Sequence, residues 1–87
     1  MENITVYSTS WCGDCRRTKR ILNEKGITFT EIDIDLNPDA ADQVISWSGG
    51  RRVIPTLKIE CTSKSVPVIL HNPLPNELDR LFGGNHS

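Results

Sequence analysis

The sequence predicts one α/β domain, residues 1–87, with the element order β-α-β-α-β-β-α and helices on both faces of a four-stranded mixed sheet. Short runs rich in β-branched residues alternate along the chain with longer stretches whose inward-facing residues recur at helical spacing. A helix separates the first two strands, which must therefore run parallel, whereas a tight turn joins the last two into an antiparallel hairpin. A chain of 87 residues supports a single core, because at this size only about two-thirds of the unfolded surface becomes buried.

The first strand leads directly into the first helix. Alternating residues predict a strand at about 3–8, which ends in a polar run. From Cys12 to Lys25 no proline interrupts the chain, and inward-facing residues recur every three or four positions, which predicts an amphipathic helix. The inner stripe of this helix consists of Cys15, Thr18, Ile21, Leu22 and Lys25. Gly26 follows where a glycine commonly ends a helix.

The second strand and second helix form the middle of the chain. β-Branched residues from Ile27 to Leu36 predict a strand, and a change of phase in its alternation places the ordered part at 29–35. Asn37 is expected to cap the second helix, with Pro38 at its first position. The inner stripe of that helix is Ala41, Val44, Ile45 and Ser48, and Gly49-Gly50 ends it.

The last third of the chain predicts a hairpin and a short helix. A third strand is expected from Pro55 to Glu60 and a fourth from Ser65 to Leu70. Pro67 cannot donate a hydrogen bond to a ladder, so the fourth strand should lie at the edge of the sheet. The final helix is expected to begin at Asn72-Pro73 or at Pro75, and its inner residues are Leu78, Leu81 and Phe82.

Composition and charge exclude several classes of function. The net charge of −1 lacks the basic excess of a nucleic-acid-binding protein. No segment approaches the roughly 18 to 20 apolar residues that span a bilayer, and the N-terminus has neither the basic start nor the apolar run of a signal peptide. We therefore expect a cytoplasmic protein that binds neither nucleic acid nor membrane. Three cysteines are too few for a secreted disulfide scaffold and are more typical of redox or metal chemistry.

The motif that carries chemistry is Trp11-Cys12-Gly13-Asp14-Cys15, which follows a predicted strand and opens a predicted helix. A C-x-x-C in this position is typical of thioredoxin-like redox proteins. Cys12 falls at the helix N-terminus, where unpaired backbone N–H groups and the helix dipole favour an anion. Cys15 lies one turn further on, at the spacing that brings the two sulfurs together. We expect Cys12 to attack a disulfide and Cys15 to resolve the intermediate.

Other functions of the two cysteines stay open at this point. A structural zinc site needs four ligands, and the further candidates Cys61, His71 and His86 lack partner spacing. An iron–sulfur cluster bridging two subunits through Cys12 is a third possibility, and an inert disulfide or an interaction module with an incidental C-x-x-C are others. A metal or cluster carrier predicts colour or bound zinc in the purified reduced protein, which an absorbance scan or elemental analysis would detect.

Ile54-Pro55-Thr56 is the second informative element. A proline here is either a plain strand start or a cis proline, and cis prolines are usually kept for tight turns. The cis form would leave the N–H and C=O groups of Ile54 available to an extended thiol substrate, as in strand addition. Ile54 and Pro55 are therefore candidate substrate-binding residues.

The chain resembles the glutaredoxin branch of the thioredoxin superfamily over nearly its whole length, and it is most similar there to the actinobacterial mycoredoxin-like glutaredoxins. The segments that carry the resemblance are Ser10-Trp11-Cys12-Gly13, Cys15-Arg16-Arg17, Glu31-Ile32-Asp33-Ile34-Asp35, Gly49-Gly50-Arg51-Arg52, Ile54-Pro55-Thr56 and Asn72-Pro73. The resemblance implies a thioredoxin-like fold, a nucleophilic Cys12, a resolving Cys15, a cis Pro55 and the reduction of mixed disulfides between proteins and a small thiol. The co-substrate is then mycothiol or glutathione, and the partners are disulfide-containing client proteins. We also expect a monomer with no resident cofactor.

Two departures from the family pattern leave the recycling partner open. Glutathione-binding glutaredoxins carry a Gly-Gly-x-Asp segment after the fourth strand, whereas this chain has Leu70-His71-Asn72-Pro73. The run Trp47-Ser48-Gly49 is similar to the glutaredoxin-like electron donors of ribonucleotide reductase, which accept electrons from thioredoxin reductase. Thioredoxin reductase is therefore the alternative to a small thiol.

Four further side chains have candidate roles around the cysteines. Asp14 lies between them, where a carboxylate disfavours a nearby thiolate and so could tune its nucleophilicity or select basic partners, or simply interact with the helix dipole. Trp11 is either an exposed substrate platform or part of the core. Arg51 belongs to a set of basic residues that either surround the thiolate and an anionic substrate or form a solvated face. Cys61 falls in the predicted turn 61–64, as a plain small residue or as an extra thiol open to modification.

Overall fold

The computed structural model describes residues 2–61 and 65–82 and has the predicted element order. The elements are β1 (Glu2–Ser8), α1 (Gly13–Glu24), β2 (Thr30–Asp33), α2 (Pro38–Trp47), β3 (Thr56–Cys61), β4 (Val68–His71) and α3 (Pro75–Phe82). The strands form one sheet in the order β2-β1-β3-β4. β1 pairs parallel with β2 and antiparallel with β3, and β3 pairs antiparallel with β4, so the sheet is mixed as predicted.

The two faces of the sheet bury separate apolar clusters, because successive residues of a strand point to opposite faces. The first cluster packs α1 and α3 against β1 and β3, and its buried members are Ile4, Val6, Leu22, Leu57, Ile59 and Leu78. The second cluster packs α2 on the other face, and its buried members are Tyr7, Ile34 and Val44. The ring of Trp47 meets Tyr7 edge-on there, with ring centroids 5.4 Å apart. The prediction of helices on both faces is thus confirmed.

The first helix ends as the sequence predicts. Gly26 adopts a left-handed backbone with φ +73°, and its N–H donates to the Asn23 carbonyl at 3.0 Å. The N–H of Ile27 donates to the Leu22 carbonyl at 2.9 Å, which completes a Schellman motif. This reversal allows Ile27 to pack against the first cluster instead of extending the next strand.

The predicted boundaries of three strands are wrong. β2 is only four residues long, because Asp33 begins a turn in which its carbonyl accepts the N–H of Leu36 at 3.1 Å. β4 begins at Val68 rather than Ser65, since Pro67 cannot join the ladder, although β4 does lie at the edge as predicted. Cys61 is the last residue of β3, opposite Glu2 of β1, and does not lie in a turn.

The last helix begins at the second of its two predicted positions, Pro75. Asn72 has a left-handed backbone with φ +47°, which excludes it from a helix. Among the described residues, no helix has the length and apolar character needed to cross a membrane.

Candidate active site

Cys12 caps the N-terminus of α1. Its backbone is extended (φ −88°, ψ 115°), and its sulfur accepts a hydrogen bond from the backbone N–H of Cys15 at 3.1 Å. Only 7% of the residue is exposed. A sulfur in this position faces the unpaired N–H groups of the first turn and the positive end of the helix dipole, a position in which cysteines commonly act as nucleophiles.

Cys15 lies inside the first turn of α1 and is fully buried. Burial is the main cause that raises the pKa of the Cys15 thiol to about 12, and the hydrogen bond with Cys12 raises it further. A hydrogen bond from the main chain of Thr9 acts in the opposite direction, with a smaller effect. Cys15 therefore keeps its proton at neutral pH. The pair is chemically asymmetric, with a helix-capping sulfur and a buried thiol behind it.

The peptide bond between Ile54 and Pro55 is cis, as the family resemblance implies. Thr56 pairs with Tyr7, so this loop lies beside the C-terminal end of β1, where the cysteine loop begins. Within the described part of the chain, no hydrogen bond engages the N–H or C=O group of Ile54. These groups are therefore available to an extended partner.

Hydrogen bonds on both sides hold the cis-proline loop. The hydroxyl of Thr56 donates to the Val53 carbonyl at 2.7 Å, and its oxygen also lies 2.9 Å from Nδ1 of His71. Because the hydroxyl has a single proton, the contact with His71 requires a proton on Nδ1. The Pro55 carbonyl accepts the N–H of Asn72 at 2.7 Å. The segment Leu70-His71-Asn72-Pro73 thus supports the cis-proline loop through His71 and Asn72.

Trp11 is 64% exposed, so the core alternative for its ring is wrong. Its indole Nε1 donates to Oδ2 of Asp35 at 2.9 Å. The other oxygen of the same carboxylate, Oδ1, forms an ion pair with Arg52. The Arg52 guanidinium, followed by the Trp11 N–H, holds the pKa of Asp35 below its ordinary value of 3.8. Asp35 therefore joins the loop before Cys12 to the loop before Pro55.

Asp14 is exposed on the first turn of α1. Its carboxylate pairs with Arg17 at 3.4 Å and accepts a hydrogen bond of 3.4 Å from Nδ2 of Asn72. Asn72 thus contacts both the C-x-x-C helix and the cis-proline loop. The neighbouring Arg17 offsets part of the negative charge that Asp14 places near Cys12.

The basic residues divide into paired and available ones. Arg17, Lys19 and Arg52 form ion pairs with Asp14, Glu31 and Asp35. Arg51 is exposed, and no ion pair engages its side chain within residues 2–61 and 65–82. Its main chain is held by Ser48, whose hydroxyl oxygen accepts the Arg51 N–H at 3.0 Å. The loop therefore presents the Arg51 side chain to solvent.

The sequence interpretation missed two residues of this site, Asp35 and Asn72. The predicted parallel pairing of the first two strands could have pointed to Asp35, because the C-terminal ends of parallel strands meet at one edge of a sheet. The structure pairs Ser8 with Asp33 at that edge. Asn72 gave no such signal, since its role depends on its left-handed backbone.

The further metal candidates do not form a metal site in the described part of the chain. Among the described residues, no group of three or more His, Cys, Asp or Glu side chains could hold a metal ion, and His86 lies outside those residues.

Comparison with known proteins identifies a family and several relatives. The glutaredoxin family model matches residues 4–70. A glutaredoxin-named protein of Mycobacterium tuberculosis is 47% identical over 55 residues, 63% of this chain and 66% of that protein, just under two thirds of its length. Mycoredoxin 1 of Corynebacterium glutamicum is 36% identical over 58 residues, 67% of this chain and 71% of that protein.

The fold has a counterpart among solved structures. The glutaredoxin-like protein NrdH-redoxin from Escherichia coli superimposes with a TM-score of 0.69 at 26% identity, over 91% of this chain and 93% of that one. That structure was described as the basis for a thioredoxin-like activity profile. The family match, which covers most of the chain, establishes that this protein belongs to the glutaredoxin family.

Proposed function

We propose that this chain is a dithiol–disulfide oxidoreductase that reduces mixed or protein disulfides through Cys12 and Cys15, with a small thiol as its reductant. The observation that carries the proposal is the asymmetry of the pair: Cys12 caps α1, whereas Cys15 is buried behind it with a raised pKa. Only Cys12 thus lies at the helix N-terminus with part of its surface, 7%, exposed. The family relationship supports the same activity.

The reaction begins when the Cys12 thiolate attacks one sulfur of a substrate disulfide. A bond forms between Cys12 and that sulfur, the substrate S–S bond breaks, and the other substrate sulfur leaves as a thiolate that takes a proton from solvent. The main-chain groups of Ile54 pair with the bound substrate, while Trp11 and Arg51 lie on the loops beside it. The enzyme now holds a mixed disulfide that must be resolved.

Two routes resolve the mixed disulfide. In the first, Cys15 gives up its proton and attacks the Cys12 sulfur, which releases the substrate thiolate and leaves a Cys12–Cys15 disulfide. In the second, the adduct contains a small thiol, and another molecule of that thiol attacks the adduct sulfur; a small-thiol disulfide leaves and the Cys12 thiolate is regenerated. The raised pKa of Cys15 favours the second route, because few Cys15 thiolates exist near neutral pH.

Mycothiol and glutathione are the two candidate small thiols. The similarity to mycoredoxin 1 favours mycothiol, and the segment Leu70-His71-Asn72-Pro73 in place of Gly-Gly-x-Asp favours it as well, because the usual glutathione contacts are missing. The second candidate function is an electron donor recycled by thioredoxin reductase. Its support is the similarity to NrdH-redoxin, together with the run Trp47-Ser48-Gly49.

NADPH consumption with a disulfide substrate distinguishes these functions. One reaction supplies thioredoxin reductase alone, and parallel reactions supply mycothiol or glutathione with the matching reductase. We expect turnover with a small thiol, and fastest with mycothiol. Turnover with thioredoxin reductase alone would establish the second candidate instead, and turnover with neither would contradict both.

Two cysteine variants test the roles of the pair. Cys12→Ser should abolish turnover with every reductant, because it removes the nucleophile. Cys15→Ser should retain the small-thiol route and lose any turnover that needs an internal disulfide. Cys61→Ser is the matched control, since it removes a thiol from the opposite end of β3. Disulfide reduction by Cys12→Ser would refute the mechanism.

A further inference from the structure

The carboxylate of Asp35 makes two separate contacts with side chains of the site. Oδ2 accepts the indole N–H of Trp11 at 2.9 Å, and Oδ1 pairs with Arg52. A carboxylate has two acceptor oxygens and no donor when ionised. It therefore satisfies both partners at once, whereas an amide would present an N–H group to one of two donors.

Asp35 itself is held firmly in place. Its N–H donates to Oδ1 of Asp33 at 2.9 Å, and the N–H of the preceding Ile34 donates to the Ser8 carbonyl at 3.0 Å. Ile34 is buried in the second apolar cluster. The turn after β2 is thus anchored to β1 on one side and to the core below. The Asp35 side chain therefore projects from a turn that these contacts fix to β1.

Trp11 has little else to fix its ring. It is 64% exposed and lies in the turn immediately before Cys12, so packing covers only a minor part of its surface. An exposed aromatic side chain that is free to change rotamer loses conformational entropy when a partner packs against it. A ring already held in one orientation avoids much of that loss.

We propose that Asp35 is a positioning residue that holds the Trp11 indole in place beside Cys12, so that the ring forms an ordered wall against which a disulfide-containing peptide binds. Asp35 touches neither the substrate nor the reacting sulfurs and acts through Trp11. Arg52 supports it by fixing the second carboxylate oxygen, and this also ties the wall to the loop that carries Ile54. The proposal rests on the proposed function, because it is a statement about how peptide disulfides reach Cys12.

The kinetic test uses a cysteine-containing peptide as its mixed disulfide with mycothiol, and mycothiol with its reductase recycles the enzyme. Asp35→Ala and Trp11→Phe should each lower kcat/KM roughly three- to tenfold, the range expected when one hydrogen bond of an exposed group is lost. The change should fall mainly on KM, because binding is affected more than chemistry. The double variant should be no worse than the poorer single variant, since both changes remove the same contact. If the loss of kcat/KM in the double variant equals the product of the two single losses, the proposal is overturned.

Three controls separate positioning from a general structural effect. Asp42→Ala removes an exposed carboxylate from α2 and should leave kcat/KM unchanged. Asp35→Asn keeps one oxygen that can accept the Trp11 N–H but turns an N–H group toward Arg52, so it should recover only part of the activity lost in Asp35→Ala. The rate at which iodoacetamide alkylates Cys12 should be the same in wild type and Asp35→Ala, because so small a reagent does not need the indole wall. A large drop in that rate would place the defect at Cys12 and contradict the proposal.

A spectroscopic test does not depend on catalysis. The indole N–H resonance of Trp11, identified by its loss in Trp11→Phe, should move upfield and exchange faster with water in Asp35→Ala, and should be unchanged in Asp42→Ala. An identical resonance in wild type and Asp35→Ala would refute the positioning role, whatever the activity. If the wild-type protein shows the hydrogen-bonded Trp11 indole resonance but reduces no disulfide, the proposed function is refuted. The contact between Trp11 and Asp35 is then still supported.

Discussion

The pH dependence of the internal resolving step follows from the burial of Cys15. At pH 7 a thiol with a pKa of about 12 is ionised in about one molecule in 100,000, compared with about one in 100 for a thiol at the ordinary value of 9.0. Formation of the mixed disulfide removes the Cys12 thiolate and its share of the increase, but burial, the largest cause, remains. The rate of attack by Cys15 should therefore rise about tenfold per pH unit through pH 9 without levelling off.

Ellman's reagent provides a direct measurement of this step. Cys12 releases the first chromophoric thiol and forms a mixed disulfide, and Cys15 then releases the second, which stopped-flow absorbance follows at each pH. The experiment uses the Cys61→Ser background, so that only the pair reacts, and Cys15→Ser should show the first release alone. A rate that reaches a plateau at or below pH 9 would show that Cys15 is not a buried thiol of raised pKa, and the preference for the small-thiol route would lose its physical basis.

Two further predictions concern charge near the site and the core. Asp14→Asn should increase the alkylation rate of Cys12 at mildly acidic pH measurably, but by no more than about threefold, because Asp14 is exposed and already paired with Arg17. A rate equal to that of wild type, with Asp42→Asn as the control, would exclude tuning by Asp14. Leu22→Ala should lower the free energy of unfolding by about 2–5 kcal/mol, because Leu22 is fully buried in the first cluster. Urea denaturation measures this loss, Leu36→Ala at a 77% exposed position is the control, and a loss as small as that of the control would contradict the packing.

The sequence predicted the parts of the fold that depend on local patterns. The stripe through Cys15, Thr18 and Leu22, all buried, identified the inner face of α1, and Gly26 marked its end. The cis bond before Pro55 followed from the resemblance to a family rather than from the physics of the residues. Alternation and glycine stops are local signals, and so they can be recognised without knowledge of the tertiary structure.

The parts that the sequence did not predict depend on contacts between distant segments. Trp11 and Asp35 are 24 residues apart, and only the parallel pairing of β1 with β2 brings the ends of these strands together. Cys61 looked like a turn residue because polar neighbours follow it, yet its pairing opposite Glu2 keeps it in β3. Asn72 combines an unusual backbone with bonds to two loops, and neither is encoded by its residue type alone.

The lengths of the two edge strands affect how copies of the chain meet in solution. An edge strand exposes unpaired main-chain groups, and a long flat edge invites another molecule to extend the sheet and eventually to aggregate. Here β2 and β4 are each four residues long, Pro67 precedes β4, and β2 carries Glu31 in its ion pair with Lys19. Short edges flanked by proline or charge are poor templates for such growth. We therefore expect the protein to stay monomeric at high concentration, with main-chain pairing to other molecules confined to the loop that carries Ile54.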